Sequence, residues 1–170
     1  MEMNENGDSQ KGNAGRVKPQ REVCPHYRIL VVDDDAHIRE LNAELLMSSG
    51  FHVDTAVDGA AAWDELSAQN YDLMITDNNM PRVSGVELLG KLHAARMELP
   101  VIMATGAMPE EEFNRQPWLQ PAALLLKPYT LADLLETVKK VLRANADAWR
   151  QLVSPRIIEE LPSGARMGFR

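Results

Sequence analysis

The sequence has little cysteine, few aromatic residues and no long apolar run. Its single cysteine, Cys24, cannot form a disulfide within the chain or a multi-cysteine metal site. No stretch of about 18 apolar residues is free of charge, and the first residues lack the basic start and apolar core of a signal peptide. We therefore expect a cytoplasmic protein with no membrane association.

An excess of positive charge is also absent. The 170 residues carry 18 Lys and Arg against 25 Asp and Glu, which gives a net charge of −7. The electrostatic field of a negatively charged protein repels the phosphate backbone of a nucleic acid, which argues against nucleic-acid binding. The four histidines have no mutual spacing suited to a metal, so none is a candidate ligand.

The chain begins with a polar leader. Residues 1–26 lack apolar periodicity, so we expect them to be mostly disordered. From Tyr27 onwards, short apolar runs alternate with segments of helical periodicity. Thr130 and Asp133 have the spacing of a capping box that opens the last of these helices. The predicted strands are 29–32, 51–57, 73–76, 100–104 and 122–126.

Five strands that alternate with five helices predict a parallel sheet covered on both faces, a doubly wound α/β fold of the flavodoxin-like (βα)5 type. We assign this domain to residues 27–144. The remaining residues, 145–170, are too few for a second core and are expected to form a short C-terminal tail. Short helices at 147–152 and 156–161 fit the pattern of this tail.

Reactive side chains follow four of the predicted strands. Asp33 and Asp34 end the first strand, Asp77 the third, Thr105 the fourth and Lys127 the fifth. The carboxyl ends of parallel strands share one edge, where the reactive crevice of an open α/β sheet lies. Three carboxylates placed together repel one another unless they share a cation, and all-oxygen ligands favour Mg²⁺. A carboxylate can also attack phosphorus, and the cation, an ammonium and a hydroxyl would then stabilise the transferred group.

Taken together, the motifs at these strand ends resemble the response-regulator receiver (CheY-like) family of two-component signalling. The matches occur in the family's order between residues 28 and 143. The motifs are Val32-Asp33-Asp34-Asp35, Thr76-Asp77-Asn78-Asn79-Met80-Pro81, Ser84-Gly85, Thr105-Gly106 and Lys127-Pro128-Tyr129.

The resemblance implies a single-domain response regulator with no output domain. Asp77 would accept a phosphoryl group from a phosphohistidine of a sensor histidine kinase or a histidine phosphotransfer protein. The domain would then signal to an unidentified target through phosphorylation-dependent protein contacts, with a phosphorylation-linked homodimer as one form. It would phosphorylate and dephosphorylate itself without being a turnover enzyme.

The resemblance also assigns the site residues. Asp34, Asp77 and the backbone carbonyl of Asn79 would bind Mg²⁺, and Asp33 would act through water. Thr105 would be the switch hydroxyl and Lys127 the charge partner of the phosphoryl group.

Two positions depart from the family pattern. Leu124 stands on the fifth strand where an aromatic switch residue is usual, and polar Asn78 follows the phosphoacceptor position. These departures leave open a phosphorylation-independent binding module. A second alternative is a haloacid-dehalogenase-like phosphohydrolase, in which Asp33 of an Asp33-x-Asp35 motif would be the nucleophile and Asp77 would have no role.

Overall fold

The computed structural model describes residues 27–153. The predicted leader and the predicted helix at 156–161 lie outside the described residues. The elements are β1 (Arg28–Val32), α1 (Ala36–Ser48), β2 (His52–Ala56), α2 (Gly59–Ala68), β3 (Leu73–Thr76), α3 (Gly85–Ala94), β4 (Val101–Thr105), α4 (Glu110–Arg115), β5 (Ala123–Leu126) and α5 (Leu131–Val153).

All strand pairs are parallel, and the sheet order is β2-β1-β3-β4-β5. The predicted doubly wound α/β fold is therefore confirmed. The short apolar runs form strands because β-branched and long aliphatic side chains can be buried on both faces of a central parallel sheet. The order reverses between β1 and β3, so the crevice between their carboxyl ends is the topological switch point of the sheet.

The core consists of two hydrophobic clusters, one on each face of the sheet. Successive residues of a strand point to opposite faces, and β1 divides accordingly: Leu30 and Val32 belong to one cluster, and Ile29 and Val31 to the other. All four side chains are at most 1% exposed. Burial of this extent stabilises the fold by about 1.5–3 kcal/mol for each such side chain.

Side-chain caps start α1 and α5 at the edge where the site lies. Asp35 accepts the N–H groups of His37 and Ile38 at the start of α1, as its position after β1 predicts. The predicted capping box of Thr130 and Asp133 opens α5. These caps satisfy backbone N–H groups that the first turn of a helix leaves without partners.

The last helix is longer than predicted. The sequence pattern predicted a short helix at 147–152 separate from the last helix of the domain, but α5 is one continuous helix. The break was wrong because the residues between Arg143 and Asp147 include two alanines and no glycine or proline, so nothing stops the helix there. Within residues 27–153, no helix is both long and apolar enough to cross a membrane.

Candidate phosphoacceptor site

Three carboxylates lie together at the switch point of the sheet. Asp33 and Asp34 follow β1, and Asp77 follows the neighbouring strand β3. One oxygen from each side chain lies within 4.8 Å of the others, a separation at which all three could bind one metal ion. Asp33 and Asp77 are buried, whereas Asp34 is exposed. The structure therefore brings together the three acidic residues that the sequence singled out.

Lys127 joins two of these carboxylates. Its Nζ lies 2.9 Å from Asp33 Oδ2 and 3.0 Å from Asp77 Oδ2. Burial raises the pKa of Asp33, and the bond from Lys127 offsets this only in part. Burial alone would lower the pKa of Lys127, but its hydrogen bonds to Asp33 and Asp77 raise it above its usual value. The ammonium group therefore stays charged across the physiological range.

The charge balance of the cluster favours a divalent cation. Three carboxylates and one ammonium carry a formal charge of −2, and all the free ligand atoms are oxygens. Hard oxygen ligands with this charge fit Mg²⁺, which keeps several of its waters and can complete its coordination with a phosphate oxygen. When bound, such an ion would neutralise the three carboxylates.

The second oxygen of Asp77 accepts hydrogen bonds from the backbone of the following loop. The N–H of Asn78 lies 2.6 Å from Asp77 Oδ1, and the N–H of Asn79 lies 3.4 Å from it. Both oxygens of Asp77 thus have donors, which fixes the orientation of the carboxylate. Asn79 itself is exposed in this loop. Its backbone carbonyl as a metal ligand remains a prediction.

Thr105 ends β4 and is fully buried. Its hydroxyl donates a hydrogen bond to the backbone carbonyl of Ala107 at 3.1 Å. The bond lies within the loop that leads from β4 to α4. The adjacent Gly106 is exposed and has open space where a Cβ would lie, so the backbone at this position is accessible.

Asn78 has a structural role that the sequence did not reveal. Its side-chain Oδ1 accepts the N–H of Val86 at 3.1 Å, and its backbone carbonyl accepts the N–H groups of Met80 and Gly85. The polar side chain after Asp77 therefore satisfies a donor in the first turn of α3. An apolar residue at this position could not make that bond.

The segment after Lys127 is held by a hydrogen bond to α1. Asn42, which is buried in α1, donates from Nδ2 to the hydroxyl of Tyr129 at 2.9 Å. Burial raises the pKa of Tyr129, so this hydroxyl remains protonated. The two residues are far apart in the sequence, and no local motif predicts their contact.

Leu124 and Trp118, two side chains near α4 and β5, are only partly packed. Leu124, at the usual position of the aromatic switch, is half-buried against the same cluster as Leu30 and Val32. Trp118 is 60% exposed, and its ring centroid lies 6.5 Å from that of His93. This exposure shows that Trp118 is not a core residue.

A sequence profile of the response regulator receiver domain matches residues 29–139. Response regulator RppA of Synechocystis sp. is 36% identical over 131 residues, which are 75% of this chain and 55% of RppA. Transcriptional regulatory protein PrrA of Mycobacterium tuberculosis is 36% identical over 118 residues, 68% of this chain and 50% of PrrA. The chain thus spans about half the length of the curated relatives it matches.

Solved structures show the same architecture. A CheY-like response regulator receiver domain protein from Methanospirillum hungatei has a TM-score of 0.68 at 29% identity, over 73% of this chain and 99% of its own. Response regulator protein TrrA from Thermotoga maritima, solved in complex with Mg²⁺–BeF, has a TM-score of 0.59 at 34% identity, over 68% of this chain and 98% of its own.

Proposed function

We propose, since the chain belongs to the response regulator receiver family, that Asp77 accepts a phosphoryl group and that this modification controls which proteins the domain binds. The observation that carries the proposal is the geometry around Asp77: one carboxylate oxygen bonded to Lys127, two further carboxylates alongside, and a net charge suited to a divalent cation. The family is a signalling phosphoacceptor family, and we expect no turnover of a separate substrate.

The proposed donor is a phosphohistidine of a sensor histidine kinase or a histidine phosphotransfer protein. A carboxylate oxygen of Asp77 forms a bond to phosphorus while the phosphorus–nitrogen bond breaks, and the imidazole nitrogen keeps the electron pair and takes up a proton. Asp77 becomes an acyl phosphate. Lys127 lies close enough to neutralise an oxygen of the transferred group. Mg²⁺ held by Asp33, Asp34, Asp77 and the Asn79 carbonyl would neutralise the others.

The readout we propose begins at Thr105. Its hydroxyl now bonds to the carbonyl of Ala107, and a phosphoryl group on Asp77 offers it a stronger, charged acceptor. If the hydroxyl turns to that acceptor, the Ala107 carbonyl loses its partner and the loop before α4 rearranges. Leu124 is half-buried and could not report this change as an aromatic ring would. The proposed signal therefore passes through the loop.

Labelling with a small acyl-phosphate donor and Mg²⁺ tests the proposal. We expect a hydroxylamine-labile adduct of about 80 Da, the mass of one phosphoryl group. Asp77→Asn should abolish it, whereas Asp64→Asn, at an exposed position on α2, should leave it intact. Undiminished labelling of Asp77→Asn would refute the assignment. A phosphorylated phosphotransfer protein offered in place of the small donor tests the proposed source of the group.

The two alternatives have their own tests. Against a dehalogenase-like hydrolase, the Asp35 side chain caps α1 and so is not free to act as a general acid. Turnover of a phosphate ester that requires Asp33 but survives loss of Asp77 would favour that enzyme.

A phosphorylation-independent binding module predicts that beryllofluoride with Mg²⁺ leaves the amide NMR shifts around Thr105 unchanged, whereas the receiver function predicts large changes.

A further inference from the structure

An ion pair outside the carboxylate cluster holds the loop between β3 and α3, residues 77–84. Asp58 follows β2 and is 2% exposed. Its Oδ1 accepts the N–H groups of Ala60 and Ala61 at the start of α2. Its Oδ2 accepts a hydrogen bond at 2.6 Å from Nε of Arg82, and Nη2 of the same guanidinium contacts the same oxygen. One buried carboxylate therefore anchors both a helix start and the loop.

A second contact presses the same loop against α2. A Cβ added to Gly59, the first residue of α2, would lie 2.5 Å from the carbonyl oxygen of Val83 and 2.8 Å from its Cγ1. Only a residue without a side chain allows the loop backbone to come this close. The ion pair and the close approach are independent features, and both fix the distance between the loop and the start of α2.

Arg82 has a conformation that requires an explanation. Its φ is +66°, in the left-handed region, which is unfavourable for a residue with a side chain. Such a conformation persists where the surroundings fix it. Here the bonds of the guanidinium group to Asp58 do so, although the Arg82 side chain is 61% exposed.

The loop so held is the one that carries the proposed metal ligand. At its start, the N–H groups of Asn78 and Asn79 bond to Asp77 Oδ1, and Asn78 is tied to α3. Between Asn78 and Arg82 lie only Asn79, Met80 and Pro81. Movement at Arg82 would therefore be transmitted to the backbone of Asn79.

We propose that Arg82 and Asp58 are positioning residues for metal binding at Asp77: their ion pair fixes the backbone position of Asn79, whose carbonyl is the proposed metal ligand. This inference rests on the proposed function, because it assumes that the cluster binds Mg²⁺. Neither residue touches the metal or the phosphoryl group. Loss of either should weaken Mg²⁺ binding while all three carboxylates remain in place.

Mg²⁺ titration of the full chain, followed by the backbone amide NMR signals of residues 77–79, measures this effect directly. We expect Arg82→Ala to weaken Mg²⁺ binding by about tenfold, at the lower end of the loss typical when a group that orients a ligand is removed. Asp58→Asn keeps a side-chain oxygen to cap α2 but loses the charge, so it should weaken binding to a similar degree. The double variant should be no weaker than either single one, since both remove the same contact.

The chain offers a matched control away from the carboxyl ends of the strands, where the carboxylate cluster lies. Arg28, the first residue of β1, donates from Nε to Asp54 Oδ2, also at 2.6 Å. Arg28→Ala should lower the unfolding temperature and leave Mg²⁺ affinity unchanged.

Equal Mg²⁺ affinity in wild type and Arg82→Ala would overturn the positioning role. If Arg28→Ala weakened Mg²⁺ binding as much as Arg82→Ala, the effect would be one of general stability, which also overturns it. No Mg²⁺ binding by the unaltered chain would instead refute the proposed metal site, and the inference with it.

Discussion

Gly85 lies directly against the backbone carbonyl of Asp77. A Cβ added at Gly85 would lie 2.4 Å from that oxygen and 3.0 Å from the Cα of Asn78. The first residue of α3 is thus in contact with the peptide unit that carries the proposed phosphoacceptor. The contact explains why a glycine follows the N-cap Ser84, at the start of a helix whose first turn is otherwise well capped.

Gly85→Ala should therefore lower the free energy of unfolding by about 1–3 kcal/mol, because the added methyl group meets backbone that cannot rotate away. Displacement of Asp77 should also slow its labelling by an acyl phosphate. Gly90→Ala is the matched control, since Gly90 lies in the same helix with nothing within 4 Å of its added Cβ. It should stabilise the protein by about 0.5–1 kcal/mol. Urea denaturation measures both, and equal effects would contradict the contact.

Lys127→Met should destabilise the metal-free protein more than the Mg²⁺-loaded one. Removal of the ammonium leaves the Asp33 and Asp77 carboxylates without their shared partner, at a cost of about 1–3 kcal/mol. A bound divalent cation would compensate for the lost charge. Denaturation in EDTA and in saturating Mg²⁺ separates the two states. Lys140→Met, at an exposed position of α5, should show no such difference, and an equal loss for Lys127→Met in both conditions would contradict the prediction.

Thr105→Val should separate phosphorylation from its readout. Valine has the shape of threonine without the hydroxyl, so the bond to the Ala107 carbonyl is lost at a net cost of about 1 kcal/mol. We expect Asp77 to remain reactive to an acyl phosphate, while the NMR shifts that beryllofluoride induces at Ala107 and in α4 largely disappear. Thr105→Ser retains the hydroxyl and should retain the shifts. Full shifts in Thr105→Val would show that the hydroxyl does not carry the signal.

The contribution of Asp58 to stability should depend on pH. Burial alone would raise the pKa of Asp58, but the N–H groups of Ala61 and Ala60 and the Arg82 guanidinium bring it below the ordinary value of 3.8. The folded state thus binds the proton more weakly than the unfolded state. The stabilisation is complete above pH 3.8 and is lost as the pH falls through the lower, folded-state pKa.

The free energies of unfolding of wild type and Asp58→Asn should therefore differ by a constant amount at neutral pH and converge below pH 3.8. Urea denaturation across this range measures the difference. Gly90→Ala changes no charge, so its difference from wild type should stay constant throughout. A gap between wild type and Asp58→Asn that persists into acid would contradict the sign of the pKa shift.

The fold was predictable from the sequence because its main signals are local. Each strand is a short run of apolar residues, and the third, 73–76, was predicted with the same bounds that it has in the structure. The carboxylate cluster was equally predictable, since Asp33, Asp34, Asp77 and Lys127 all follow strands and parallel strands end at one edge. Their assigned roles stay predictions.

The supporting contacts were not predictable because they join distant residues through particular backbone geometry. Arg82 reaches Asp58 only because its φ is positive and the loop is pressed against Gly59, and no sequence pattern encodes that combination. The structural role of Asn78 could not be predicted, because it depends on the direction of the Val86 N–H. The charge pattern and hydrophobic periodicity of the sequence predict which groups lie at the site, but they do not predict the residues that orient those groups.

The length of α5 places the end of this helix, Val153, far from the site at Asp77. The helix starts just after Lys127, at the edge where Asp77 lies, and returns antiparallel to the strands. Its 23 residues extend for about 35 Å, whereas strands of four or five residues span about 13–17 Å. A protein that docks at Asp77 and one that is held at Val153 would therefore approach from opposite ends of the molecule, so both could be accommodated at the same time.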